Sequence, residues 1–161
     1  MIIRVAHDLD ARGMADLLGR IIAIGGTTAL TEMVTADDIR EWMRRSPGHS
    51  AWHVAEGEDG AILGFQWIEP ADHLPSDAAN IATFVVPGAQ GMGIGSALFR
   101  ATERAARRLG FGWINANIRA DNAGGLTYYQ SRGFETYGTR SGHVMGDGHV
   151  VDKVLKRYSL S

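Results

Sequence analysis

The sequence predicts one α/β (α+β) domain spanning residues 1–161, with a central, mixed but mostly antiparallel twisted sheet flanked by helices. Three observations predict it. Short alternating or β-branched runs such as "MIIRVA" and "IATFVV" recur along the chain. Between them lie stretches with apolar residues at three- and four-residue spacing, the clearest running from Ile94 to Leu109. Two pairs of strand-like runs flank the turn signals "EDG" and "GDG", which mark hairpins. A chain of 161 residues is long enough to bury a full core in one domain.

The elements follow in the order β-α-α-β-β-β-α-β-α-β-β. "MIIRVA" alternates and opens as a strand. Asp8 or Asp10 is placed to cap a helix over roughly 10–23, with Met14, Leu17, Leu18, Ile21 and Ile22 on its buried side. After the turn-rich "GGTTALTE", Thr35 with Asp38 three residues on reads as a capping pair, and "ADDIREWMRR" follows as a short helix that "SPG" ends. "AWHVAEG" and "AILGFQWIE" are hairpin strands, and "IATFVV" is a strand after the loop "PADHLPSDAAN". In the next helix Ile94, Ala97, Leu98, Ala101, Ala105 and Leu109 share a face, and Gly110 stands at the C-cap position. "WINANI" is a strand. "DNAGGLTYYQSR" is a helix capped by Asp121 or Asn122 and stopped at Gly133. "FETYGTR" and "HVVDKVLKRY" close the chain as a second hairpin.

Composition excludes several function classes. A net charge of −2 makes no electrostatic case for nucleic acid or for an anionic membrane. The absence of cysteine excludes disulfides, thiolate metal sites and a cysteine nucleophile. No basic segment followed by an apolar one opens the chain, and "LLGRIIAIGG" is too short to span a bilayer. The expected compartment is the cytoplasm. The histidines do not adopt an H-E-x-x-H spacing, so no metal is expected, and no G-x-S-x-G elbow offers a serine nucleophile.

The densest signal is "VVPGAQGMGIGSALFR". A strand that runs into glycines and then a helix makes an anion cradle, because small residues let backbone N–H groups converge at the positive end of the helix dipole. Two common phosphate loops fail here. No lysine follows the glycines, which removes G-x-x-x-x-G-K-[ST]. Counting G-x-G-x-x-G from Gly91 ends on Ser96, and from Gly93 on Leu98.

"QGMGIG" instead resembles Q/R-x-x-G-x-G/A, through Gln90, Gly93 and Gly95. That is the acyl-CoA pyrophosphate loop of the GNAT superfamily of N-acetyltransferases. "NAGGLTYYQSRGF" resembles a second block of that family, N-x-x-A-x-x-L-Y-x-x-x-G-F, through Asn122, Tyr129, Gly133 and Phe134. Gly125 replaces the usual alanine and Tyr128 the leucine. The element order is similar along nearly the whole chain, and "TTALTEMVTADDIREW" distantly resembles the subgroup that acylates amino acids and phosphinothricin.

The resemblance implies acetyl-CoA as cosubstrate. Phe84, Val85 and Val86 would pair with its pantetheine arm as an added strand would, and a backbone N–H there would polarise the thioester carbonyl. Gln90, Gly91, Met92, Gly93, Ile94, Gly95 and Ser96 would wrap the diphosphate. Asn122 would cap its helix and touch the pantetheine. Tyr129 is the expected general acid: a phenol of pKa about 10 is protonated at neutral pH and can give a proton to a thiolate whose acid has a pKa of about 8.5. Tyr128 is the rival, but adjacent helix positions point about 100° apart, so the two do not share one role.

Where many relatives carry a glutamate on the strand before the glycines, this chain has Asn80. Glu69, His73, Asp77, Glu32 and a water chain to bulk all stay open as routes for the amine proton. Glu32, Gln66 and Trp67 are the candidate contacts for the acceptor. The expected function is acetyl transfer to a primary amine of a small molecule (amino acid, polyamine or antibiotic-like) by direct attack in a ternary complex. The alternative is a non-catalytic acyl-CoA-binding sensor or interaction module of the same fold. The terminal edge strands also allow a homodimer.

Overall fold

The computed structural model describes residues 1–89 and 91–161. The strands are β1 (Ile2–Val5), β2 (Ala51–Glu56), β3 (Ile62–Glu69), β4 (Ala78–Val85), β5 (Trp113–Arg119), β6 (Glu135–Val144) and β7 (Val150–Ser159). The α-helices are α1 (Ala11–Ile24), α2 (Ala36–Arg44), α3 (Ile94–Leu109) and α4 (Ala123–Ser131). The described strands form one sheet in the order β1-β2-β3-β4-β5-β7-β6. All neighbours are antiparallel except β4 and β5. The expected succession of elements and the mixed, mostly antiparallel sheet are both present.

Local chemistry explains the boundaries. Thr35 accepts from Asp38 N–H at 3.1 Å while Asp38 accepts from Thr35 N–H at 2.9 Å, a reciprocal cap for α2. Gly110 ends α3 in the left-handed conformation at φ 86°, which a side chain would disfavour. At α1 the expectation is corrected. Asp10 makes no side-chain cap. Its carboxylate instead takes two 2.8 Å bonds from the Arg4 guanidinium and one of 2.7 Å from His7 N–H. Arg4 also reaches Glu56 at 3.1 Å, so one cation ties β1, the start of α1 and β2.

Two strands are longer than their patterns suggest. β4 begins at Ala78, where it gains its parallel partner, and β6 continues to Val144 because it pairs with β7 to the hairpin tip.

The sheet separates two apolar layers. On one face Trp52, Val54, Phe65, Trp67 and Phe84 pack against Met14, Leu18 and Ile39 of α1 and α2. Trp52 and Trp67 stack with ring centroids 4.1 Å apart and planes within 3°, an arrangement worth about 0.5–1.5 kcal/mol beyond simple burial. On the other face Ile68, Ile81, Ile114, Ala116 and Ile118 pack against Phe99, Ala106 and Tyr129 of α3 and α4. Among the described residues no helix is long and apolar enough to cross a membrane.

Candidate active site

The parallel pair is the topological break in the sheet. Register joins Ala78 to Trp113, Ala79 to Ile114 and Asn80 to Asn115, and there the described pairing stops. Residues 81–85 stay paired to β3, and 116–119 stay paired to β7. The two strands therefore leave a gap edged by unpaired backbone. Val86 N–H donates to Leu63 O at 2.8 Å, on the β3 side. Antiparallel alternation then turns the backbone groups of Thr83 and Val85 into the gap and those of Phe84 back to β3. Of the three residues expected to pair there, Val85 is the one so turned. The Phe84 side chain is 9% exposed and packs in the α1 core.

The glycine turn lies at the end of β4. Gly88, Gly91 and Gly93 have φ of 83°, 83° and 76°, a region that L side chains rarely occupy. A Cβ at Gly91 or Gly93 would meet no protein atom within 4 Å, so the backbone faces open space there. Gly93 caps α3, and its carbonyl accepts from Ala97 N–H at 3.0 Å. Among the described residues no backbone acceptor meets the N–H of Gly95 or Ser96. Met92 is exposed, and Ile94 is buried beneath the turn. Gln90 lies outside the described residues.

Gly95 has a different reason to lack a side chain. A Cβ there would lie 2.7 Å from Tyr128 Cε1. Tyr128 crosses from α4 to the first turn of α3 and donates its hydroxyl to Gly95 O at 2.8 Å. Burial pushes its phenol up to about 12. Tyr129 points elsewhere, as the helical offset requires. It is buried, and its Oη lies 2.8 Å from Oγ1 of Thr83, in the part of β4 that has parted from β5. Burial is the largest cause of a phenol pKa well above its ordinary value. Gln66 joins the two tyrosines, with Nε2 donating to Thr83 Oγ1 at 2.8 Å and to Tyr128 Oη at 3.1 Å.

Asn122 caps α4 by accepting from Gly125 N–H at 3.0 Å, and Nδ2 donates to Thr27 O at 3.1 Å. A Cβ at Gly125 would sit 2.5 Å from that Nδ2, which explains glycine where the resemblance expects alanine. Asp121, the other candidate cap, pairs with Arg119 instead.

At the closed end of the gap, Asn115 Nδ2 donates to Asn80 Oδ1 and Asn117 Oδ1, each at 3.0 Å, and the Tyr137 hydroxyl donates to Asn115 Oδ1. Glu69 lies directly across from Asn80 in the sheet. Sequence spacing could not show this, because the carboxylate comes from the neighbouring strand. Glu69 is buried, and both its oxygens accept from Arg45 at the end of α2.

The loop between α1 and α2 crosses the open end of the gap. Arg119 Nη1 donates to Thr28 O at 3.1 Å, and Thr31 sits against Gly146 in the β6–β7 turn, where a Cβ would be 2.7 Å from its Oγ1. Glu32 is exposed on this loop. The other two expected acceptor contacts are not open: Gln66 has no exposed surface and Trp67 is 6% exposed within the aromatic stack.

A glycine-capped helix beside an opened parallel strand pair is the arrangement of an acyl-CoA acyltransferase domain. The acetyltransferase (GNAT) family matches residues 24–134, and the chain belongs to that family. It is similar to "Putative phosphinothricin acetyltransferase YwnH" of Bacillus subtilis (strain 168), 29% identical over 160 residues and covering 98% of each chain. It is 26% identical over 142 residues to the phosphinothricin N-acetyltransferase of Streptomyces coelicolor, covering 85% of this chain and 83% of that one. Its fold is that of a GNAT superfamily phosphinothricin acetyltransferase from Sinorhizobium meliloti in complex with AcCoA. That likeness has a TM-score of 0.87 at 21% identity, over 99% of this chain and 88% of the other.

Proposed function

We propose that this chain transfers the acetyl group of acetyl-CoA to the primary amine of a small molecule, with an amino acid or phosphinothricin-like amine as the first class to test. The observation that carries the reading is the gap itself. It leads from the glycine turn, past the free backbone of Val85 and Thr83, to the hydroxyl of Tyr129. The resemblance of the glycine turn and of the α4 block, the family membership, and the similarity to phosphinothricin acetyltransferases all support it.

In this reading the N–H groups at the start of α3 hold the diphosphate and the positive helix end favours its charge. The unpaired edge of β4 aligns the pantetheine, and the Val85 N–H polarises the thioester carbonyl. The neutral amine attacks the carbonyl carbon, a C–N bond forms, and the C–S bond breaks. Tyr129 gives its proton to the departing sulfur, and the amine nitrogen loses one to solvent. Burial keeps Tyr129 protonated at neutral pH, so its proton is there to be given as negative charge develops on the sulfur.

Calorimetric titration of acetyl-CoA, followed by thiol release over a panel of amino acids, phosphinothricin, polyamines and aminoglycosides, tests the reading. Wild type is expected to bind and to turn over one amine class. Gly93→Val should weaken acetyl-CoA binding at least tenfold, because the new side chain projects into the diphosphate site. Tyr129→Phe should bind normally and lose about 10²–10⁴ in turnover, the usual range for a proton-transfer group. Normal acetyl-CoA binding by a folded Gly93→Val protein would overturn the cradle assignment. Undiminished turnover by Tyr129→Phe would overturn the acid.

A further inference from the structure

We infer that Gln66 and Thr83 are positioning residues that fix the Tyr129 hydroxyl as a donor into the gap, through a chain of hydrogen bonds that begins at the Gly95 carbonyl. The inference rests on the reading of Tyr129 as proton donor and says how that role is enforced.

Counting protons fixes the bonds from the Gly95 carbonyl as far as Thr83. Gly95 O is a carbonyl and can only accept, so the single proton of Tyr128 is spent on that 2.8 Å bond. Tyr128 Oη can then only accept from Gln66. The Gln66 atom facing it must be a donor, which fixes the amide with Nε2 on this side. The second Nε2 proton goes to Thr83 Oγ1 at 2.8 Å. Thr83, having accepted, still holds its own proton, and Tyr129 Oη at 2.8 Å is its described partner. Either oxygen can donate in this bond, and the role of Tyr129 as the acid selects Thr83 as its donor. The remaining proton, that of Tyr129, is left for the gap. The opposite direction would spend the Tyr129 proton on Thr83 and leave none for the sulfur.

The arrangement is maintained at a cost. Gln66 Oε1 is buried with no described partner, and so is Nδ1 of His53, its cross-strand neighbour. A buried acceptor left unmade costs about 1–3 kcal/mol. Turning the Gln66 amide over would relieve Oε1 but would set two acceptors, or a broken Gly95 contact, against Tyr128.

The consequence for the reaction is specific. When Tyr129 passes its proton to sulfur, the phenolate oxygen left behind still accepts from Thr83 O–H. A hydrogen bond to a charged acceptor is stronger than one to a neutral one, so this bond strengthens as the charge develops. It offsets part of the burial that otherwise disfavours the phenolate. Solvent restores the Tyr129 proton once products leave. Gly95 belongs to the glycine turn, so the same residue that lines the diphosphate cradle orients the Gln66 amide behind the acid.

The test is a double-mutant cycle on thiol release from acetyl-CoA, run with the acceptor amine found in the panel and with water as the acceptor. Thr83→Val, nearly the same shape without a donor, should lower kcat roughly 10–100-fold with acetyl-CoA affinity unchanged. Thr83→Ser should restore most of the rate. In a Tyr129→Phe background, Thr83→Val should cost nothing further, because the hydroxyl it serves is gone. Gln66→Met, which removes both donors, should follow the same pattern with a smaller loss. If Thr83→Val costs the same factor with and without the Tyr129 hydroxyl, or if Thr83→Ser fails to recover, the relay is refuted while Tyr129 keeps its role. If Tyr129→Phe alone changes nothing, the reading of Tyr129 and the relay fall together.

Discussion

Gly95→Ala is expected to destabilise the protein although it puts a better helix former into α3. In an exposed helix interior, alanine is favoured over glycine by roughly 0.8–1.0 kcal/mol. Gly19, half-buried in α1, has room for the same gain, since a Cβ there meets nothing within 4 Å. At Gly95 the new Cβ meets Tyr128 Cε1 at 2.7 Å, with Cδ1 and Cζ both at 3.3 Å. Tyr128 has little freedom to retreat. Its hydroxyl is bound to Gly95 O and Gln66 Nε2, and its ring packs edge-on against Tyr129 with centroids 4.9 Å apart. Overpacking of this kind costs about 1–3 kcal/mol, and loss of a hydroxyl hydrogen bond adds about 1 kcal/mol. These outweigh the helix gain and leave a net loss of about 1–3 kcal/mol. With a slope of about 2 kcal/mol per molar urea, the unfolding midpoint of Gly95→Ala should fall by roughly 0.5–1.5 M. The midpoint of Gly19→Ala should rise by up to about 0.5 M on the same slope. A Gly95→Ala protein as stable as wild type would show that Tyr128 is not held against α3, and would remove the start of the hydrogen-bond chain.

Two further outcomes concern pH. His53 is buried, and burial with the charges of Arg108 and Arg104 lowers its pKa below the ordinary value. The unfolded chain then takes up that proton first, so stability should hold above about pH 6.5 and decline as pH falls below it. His53→Phe should flatten that decline in urea titrations from pH 8 to pH 5, and an unchanged slope would place the titration elsewhere. The Asp10 carboxyl is held below the usual range, chiefly by its hydrogen bonds from Arg4. Its contribution is present above the unfolded pKa of about 3.9 and is lost as pH falls through the lower folded value. Asp10→Asn should therefore cost about 1–2 kcal/mol at pH 7 and much less near pH 3, and a cost that does not shrink in acid would refute the ion-pair account.

Much of the architecture is legible in one dimension. Caps and stops are local chemistry, so Thr35 with Asp38, Gly110 and Gly133 could be read directly. Helix and strand periods are local too. The glycine turn is legible for the same reason, since Gly91 and Gly93 occupy backbone conformations that only their own residue type tolerates well. The N-cap at Asp10 misled because a carboxylate is satisfied by whichever donor arrives, and Arg4 comes from β1.

What the chain by itself determined, then, is the succession of elements, most of their caps and the glycine turn, because each depends on neighbours a few residues away. Only the tertiary structure decided that β4 and β5 part after three paired residues, that Glu69 faces Asn80, and that Gln66 and Trp67 lie inside rather than at an open pocket. Thr83 reads as one more β-branched strand residue until register brings it to Tyr129, 46 positions away, and Gln66 reaches Tyr128 across 62. Such contacts carry no periodic signature. They exist because sheet order and helix packing bring distant side chains to one place, and there a buried polar atom must find a partner.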